Sequence, residues 1–135
     1  MNHTGHSQLQ FDAKKLSRQI ERLNVPADMK VLLATLLEKT VVIGGKIINV
    51  GVRIMAFIFD LAKAYPGITF GIIVALVLSF LVNSIPVIGP ILTPILTPIL
   101  LIIGITYGAI NDFTNADIKM RLNVISEQIK AAGIQ

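Results

Sequence analysis

The chain contains no cysteine and no tryptophan, and it has only two histidines. Without cysteine, disulfides, thiolate metal sites and cysteine nucleophiles are excluded. His3 and His6 stand in a polar tail, the eight carboxylates are scattered, and no glycine-rich phosphate loop has the required spacing. We therefore expect no enzymatic activity, no cofactor and no metal site.

Charge is also scarce, because 15% of the residues are charged whereas a soluble domain usually has about 25%. Apolar residues make up 53% of the 135 residues, and the mean hydropathy is +0.73. A chain of this size buries only about two-thirds of its unfolded surface, so one core cannot hide so many apolar side chains. The surplus must face lipid or other subunits, which predicts an integral membrane protein.

Residues 64–111 form a run of 48 residues without a charged side chain. A membrane helix needs about 20 apolar residues, so this run is long enough for two crossings. The polar, breaker-rich cluster near its middle contains Asn83, Pro86, Gly89 and Pro90. The sequence predicts a hydrophobic helical hairpin over residues 65–111, with its turn at about 83–90 and two arms that are transmembrane or re-entrant helices.

The second arm opens with the tandem repeat Pro90-Ile-Leu-Thr, Pro94-Ile-Leu-Thr, Pro98-Ile-Leu-Leu. Each later proline removes a backbone donor. Either the arm is one kinked helix in which the Thr93 and Thr97 hydroxyls help to satisfy the freed carbonyls, or a helix begins at Pro98 and residues 86–97 are re-entrant or interfacial. We favour the kinked helix. The repeat is then either a gating kink whose freed carbonyls line a polar path or an apex that prevents a straight helix.

A pair of glycines follows in the same arm. Gly104 and Gly108 have the small-xxx-small spacing that permits close contact between membrane helices. They are therefore candidate helix-packing residues.

Before the hairpin, residues 26–64 predict a long amphipathic helix that lies partly in the membrane interface, with a break or bend favoured at Gly44-Gly45 and Gly51. Its second half carries a narrow polar stripe on an otherwise apolar helix: Lys46, Asn49, Arg53, Asp60 and Lys63. Two interpretations of this stripe stay open. It is either a solvated face at the membrane surface, with lysine and arginine snorkelling to water, or the lining of a pore or interhelical seam.

The two ends of the chain complete an all-α fold. Residues 1–25 comprise a polar tail and a short basic amphipathic helix. Residues 112–135 predict a C-terminal amphipathic helix that starts at residues 114–117 and has an apolar stripe of Ile118, Leu122, Ile125 and Ile129. Both helices are candidates to dock a partner protein.

The topology follows from the basic residues, which lie on both flanks of the hairpin and are absent from its turn. By the positive-inside rule, both termini are predicted to be cytoplasmic. No signal peptide is visible in the polar first 30 residues, so the membrane segments are expected to act as internal signals. The basic excess flanks a hydrophobic block, and no nucleic-acid partner is expected.

Three functions fit these features. The first is a homo-oligomeric pore or permeabilising protein, because one short hairpin cannot enclose a channel. The second is a non-conducting membrane anchor, scaffold or assembly factor that docks a cytoplasmic partner. The third is a chain that shields its hairpin in a buried core until it is triggered. In layout, an uncharged hairpin beside amphipathic helices resembles the membrane-inserting part of bacterial pore-forming toxins, and two spans resemble some phage holins. That resemblance supplies no residue roles.

Overall fold

In a computed structural model of the protein, residues 13–38, 41–43 and 46–133 are described. They are largely helical, as the sequence predicted. The elements are α1 (residues 13–21), α2 (Ala27–Glu38), β1 (Val41–Ile43), β2 (Lys46–Ile48), α3 (Val50–Ala64), α4 (Phe70–Ser84), α5 (Gly89–Ile103) and α6 (Ala116–Ala131). Short 3-10 turns occupy Pro86–Ile88 and Ala109–Phe113. The predicted polar tail, with His3 and His6, lies outside the described residues.

The chain divides into two compact units, Met1–Ala56 and Phe57–Gln135, and the boundary falls within α3. In the first unit, α1 and α2 bury the apolar positions that helical spacing predicts, and the basic residues of α1 stay exposed. The buried residues of these two helices are Leu16, Ile20, Met29, Leu33, Leu36 and Leu37.

The prediction of one long helix over residues 26–64 is wrong. The chain leaves α2 after Glu38, and β1 pairs antiparallel with β2, so that Val41 lies opposite Ile48. The physical reason is local: β-branched side chains lose rotamer freedom in a helix and fit a strand well. Two such runs separated by Gly44-Gly45 are also typical of a β-hairpin. The ribbon therefore interrupts the amphipathic pattern.

The second unit is organised around α4, which packs against α5, α6 and the two 3-10 turns. Nearly all of α4 from Gly71 to Leu81 is buried. The link between α4 and α5 is Ile85 and the 3-10 turn Pro86–Ile88, within the predicted turn region. At the start of α4, the Phe70 ring contacts Phe59 of α3 with 5.3 Å between ring centroids.

Helix α5 runs without interruption through Pro94 and Pro98, so a helix that begins only at Pro98 is excluded. It ends where Gly104 adopts a left-handed conformation, with φ of 71°, which glycine adopts without steric cost. Gly108 lies beyond this end, and a Cβ on either glycine would meet no atom within 4 Å. Gly104 and Gly108 therefore do not share a helix, which corrects the spacing argument, and their contact with another copy stays a prediction.

Helix α6 closes the second unit. The Asn115 side chain accepts a hydrogen bond from the Ile118 backbone N–H at 2.8 Å and caps the first turn. The four residues of the predicted apolar stripe are all buried: Ile118, Leu122, Ile125 and Ile129. These four side chains pack within the second unit, so in this structure they are not exposed to a partner protein.

Candidate membrane-inserting segment

The described part of the chain contains one helix that is long and apolar enough to cross a membrane. It combines the 3-10 turn with α5, runs over Pro86–Ile103 for 18 residues, and has a mean hydropathy of 2.1. At 1.5 Å per residue it spans roughly 27 Å, close to the hydrocarbon thickness of a bilayer. The other predicted arm, α4, is apolar but has 15 residues and is shorter than a full crossing.

The two sides of α5 differ in chemistry. The buried side is aliphatic and consists of Leu92, Ile95, Leu96, Ile99 and Leu100. The exposed side consists of Pro90, Thr93, Pro94, Thr97 and Leu101. Helical rotation of about 100° per residue brings these five positions onto one side, because they recur at steps of three and four. We call this set the Pro–Thr face.

Backbone carbonyls on the Pro–Thr face lack their helical partners. Pro94 and Pro98 have no N–H, so the carbonyls of Pro90 and Pro94 receive no bond from the residue four positions later. The Thr93 hydroxyl donates to the Gly89 carbonyl at 2.7 Å. The Thr93 hydroxyl therefore bonds to the carbonyl of Gly89, the residue just before Pro90, and not to a freed carbonyl, which differs from the predicted compensation.

The five residues of the predicted polar stripe are not on one helix. Lys46 belongs to β2, and its side chain lies outside the described residues. The Asn49 side chain accepts a hydrogen bond from the Val52 N–H at 3.1 Å and caps the start of α3. Arg53, Asp60 and Lys63 are exposed residues of α3. A stripe of five on one helical face is therefore wrong, because the ribbon moves its first member off the helix.

A polar cluster that sequence reasoning missed joins the start of the hairpin to α6. The Tyr65 hydroxyl donates to the Asp117 carboxylate, and Arg121 Nε donates to the same carboxylate oxygen at 3.0 Å. The Arg121 guanidinium lies 5.9 Å from the centroid of the Tyr65 ring. Tyr65 and Asp117 are 52 positions apart, so no local pattern could have found them.

This cluster shifts two ionisation equilibria. The hydrogen bond from Tyr65, followed by that from Arg121, holds the pKa of Asp117 below its ordinary value of 3.8. The hydrogen bond to Asp117 raises the pKa of Tyr65 above 10.0, because loss of the phenol proton would destroy that bond and place two anions together. Asp117 is exposed and Tyr65 is half-buried, so solvent screens the interaction.

We expect Tyr65→Phe to lower the thermal midpoint of unfolding only within a pH window. The Asp117 contribution is present above its unfolded pKa and is lost as the pH falls through the lowered folded value. The Tyr65 contribution is present below pH 10.0 and is lost as the pH rises through the raised folded value. The difference between wild type and variant should therefore be largest from about pH 4 to 10. Thermal melts across pH measure it, with Tyr107→Phe as the matched tyrosine control; a pH-independent difference would contradict it.

Cavities in the second unit offer little chemistry. An open cavity of about 430 Å³ is lined by residues of α4, of α6 and of the segment before α6, and Lys119 is its one charged lining residue. No acid–base pair is formed there. In the part of the chain that the structure describes, no three His, Asp or Glu side chains come together as metal ligands.

No protein-family model matches the chain, and the chain matches no curated protein and no solved structure.

Proposed function

We propose that the protein inserts its α4–α5 hairpin into a lipid bilayer, self-associates there and permeabilises the membrane. The observation that carries this proposal is α5: a candidate span without a charged residue, whose exposed side is lined by proline and threonine. A soluble surface helix would place charged residues on its exposed side. An uncharged exposed side on so apolar a helix fits an assembly of several copies within a bilayer.

Self-association is part of the proposal for a geometric reason. One hairpin of two short arms cannot enclose a water-filled path, so several copies must surround it. Arg53, Asp60 and Lys63, which are exposed on α3, are then placed in water at the mouth of the assembly. The positive-inside rule assigns both termini to the cytoplasmic side.

The direct test is release of a trapped dye from lipid vesicles by the purified full-length protein. The matched variants are Ile91→Asp and Val31→Asp, because Ile91 is a partly exposed residue of the span outside the Pro–Thr face and Val31 is 65% exposed on α2. An aspartate costs up to about 3 kcal/mol at the centre of a membrane helix and less toward its end, but costs little in water. We expect several-fold slower release with Ile91→Asp and unchanged release with Val31→Asp.

Two results of this assay would count against the proposal. Equal release by wild type and Ile91→Asp would mean that α5 does not enter the bilayer. No release from vesicles that demonstrably contain the wild-type protein would reject permeabilisation.

A non-conducting anchor or scaffold is the second candidate function. It is supported by Met120 and Val124, two exposed apolar residues that lie one turn apart on α6. They could contact a cytoplasmic partner, whereas the main apolar stripe of α6 is buried. This function would be favoured by two results together: no dye release from vesicles that contain the protein, and a partner captured in a pull-down by wild type but not by Met120→Ser.

A further inference from the structure

We infer that the Pro–Thr face of α5 lines the conducting path and selects small monovalent cations over anions. This inference rests on the proposed function and adds which surface meets the ions and which ions it favours. Its starting observation is that Pro90, Thr93, Pro94 and Thr97 are exposed on a helix whose opposite side is packed against its own unit.

Lipid is a poor environment for this face. Pro94 and Pro98 leave two backbone carbonyls without helical donors, and Thr97 adds an exposed hydroxyl. Irregular or unsatisfied backbone at membrane depth is tolerated only where it is buried in protein or lines a water-filled cavity. In an assembly that spans the bilayer, the Pro–Thr face therefore turns away from lipid, toward neighbouring copies and the water that they enclose.

The face offers acceptors to ions and almost no donors. Proline contributes a carbonyl without an N–H, and the Thr93 proton is already donated to the Gly89 carbonyl. No charged side chain lies between residues 64 and 111, so the carbonyl and hydroxyl dipoles decide selectivity within the span. Oxygen atoms replace the hydration shell of a cation, whereas an anion needs donors.

The repeat also spaces these oxygens along the helix axis. The carbonyls of Pro90 and Pro94 are four residues apart, which is about 6 Å along an α-helix. Successive weak sites of this kind allow an ion to enter and leave, as conduction requires. The three α3 residues at the proposed mouth include two cations, Arg53 and Lys63, so a mouth-controlled path would prefer anions. Selectivity set by the Pro–Thr face would therefore favour cations, whereas selectivity set by the mouth would favour anions.

The test is the reversal potential of wild-type protein in a planar bilayer under a KCl gradient, compared with the double variant Pro94→Ala and Pro98→Ala. The double variant restores two helical N–H groups, which engage the two freed carbonyls, and alanine stabilises a helix interior, so folding is preserved. We expect wild type to prefer K⁺ over Cl⁻, and we expect the ratio of K⁺ to Cl⁻ permeability to be several-fold lower in the double variant. Pro26→Ala is the matched control, because Pro26 is an exposed residue just before α2 and lies outside the Pro–Thr face.

The outcomes separate the two proposals. Currents that prefer Cl⁻, or an unchanged K⁺ preference in the double variant, would overturn the assignment of the Pro–Thr face and leave permeabilisation standing. A several-fold rise of the K⁺ preference in Arg53→Glu, with no effect of the double variant, would place selectivity at the mouth and overturn the assignment as well. Absence of any current from inserted wild-type protein would reject the proposed function itself.

Discussion

Replacement of Gly51 by alanine is expected to unfold or rearrange the first unit of the protein. A Cβ at this position would overlap the backbone carbonyl oxygen of Leu36 and would approach the Leu37 oxygen to 3.1 Å. The obstructing atoms belong to the backbone of α2, so no side-chain rotation can relieve the overlap. We expect a loss of roughly 3 kcal/mol or more, because overpacking against rigid structure is among the more damaging single substitutions.

Chemical denaturation followed by circular dichroism measures this effect, and Gly108→Ala is its control. Gly108 has φ of −70° and ψ of −36°, and open space surrounds its Cβ position. Alanine is compatible with that backbone and reduces the entropy of the unfolded chain, so we expect no loss and a gain of up to about 1 kcal/mol. An unfolding curve for Gly51→Ala that matches wild type would show that α2 and α3 do not approach as described.

Truncation of Leu78 to alanine is the second substitution with a large expected effect. Leu78 lies in the middle of α4 and is 0% exposed. Removal of its isobutyl group leaves a cavity among the surrounding helices, and buried Leu→Ala substitutions typically cost about 2–5 kcal/mol. The same measurement in detergent gives the free energy of unfolding.

Leu101→Ala provides the same chemical change at an exposed position of the hairpin. Leu101 makes few contacts within the chain because 79% of its surface is exposed, and we expect a change within about 0.5 kcal/mol. A large difference between the two variants identifies α4 as the protein-covered arm and α5 as the arm with a free side. Equal effects would contradict the central position of α4.

Much of the helical part of the fold could be predicted from periodicity. The spacing of Ile118, Leu122, Ile125 and Ile129 indicated the buried side of α6, and the break at 83–90 placed the turn between α4 and α5. These predictions succeed because helix geometry and turn residues are local properties of the chain. The strands Val41–Ile43 and Lys46–Ile48 were missed although their signal is also local, because the helical spacing of the apolar residues on both sides indicated one continuous helix.

The candidate site could be predicted only in part. The proline repeat pointed to freed carbonyls, but the sequence did not show on which side of α5 they lie. The prediction of a polar stripe from Lys46 to Lys63 requires one continuous helix. It fails because Lys46 lies in the three-residue strand β2. The cluster of Tyr65, Asp117 and Arg121 depends on residues brought together by folding of the second unit.

The sequence by itself determined the uncharged 48-residue run, the helical character of the chain and the position of the turn, because composition and short-range periodicity are sufficient for these. Tertiary structure decided that α4 is the covered arm, that α5 presents its Pro–Thr face, and that Gly51 closes on α2. An apolar helix has no stripe that marks its inner side, so packing against its neighbours selects which residues remain free.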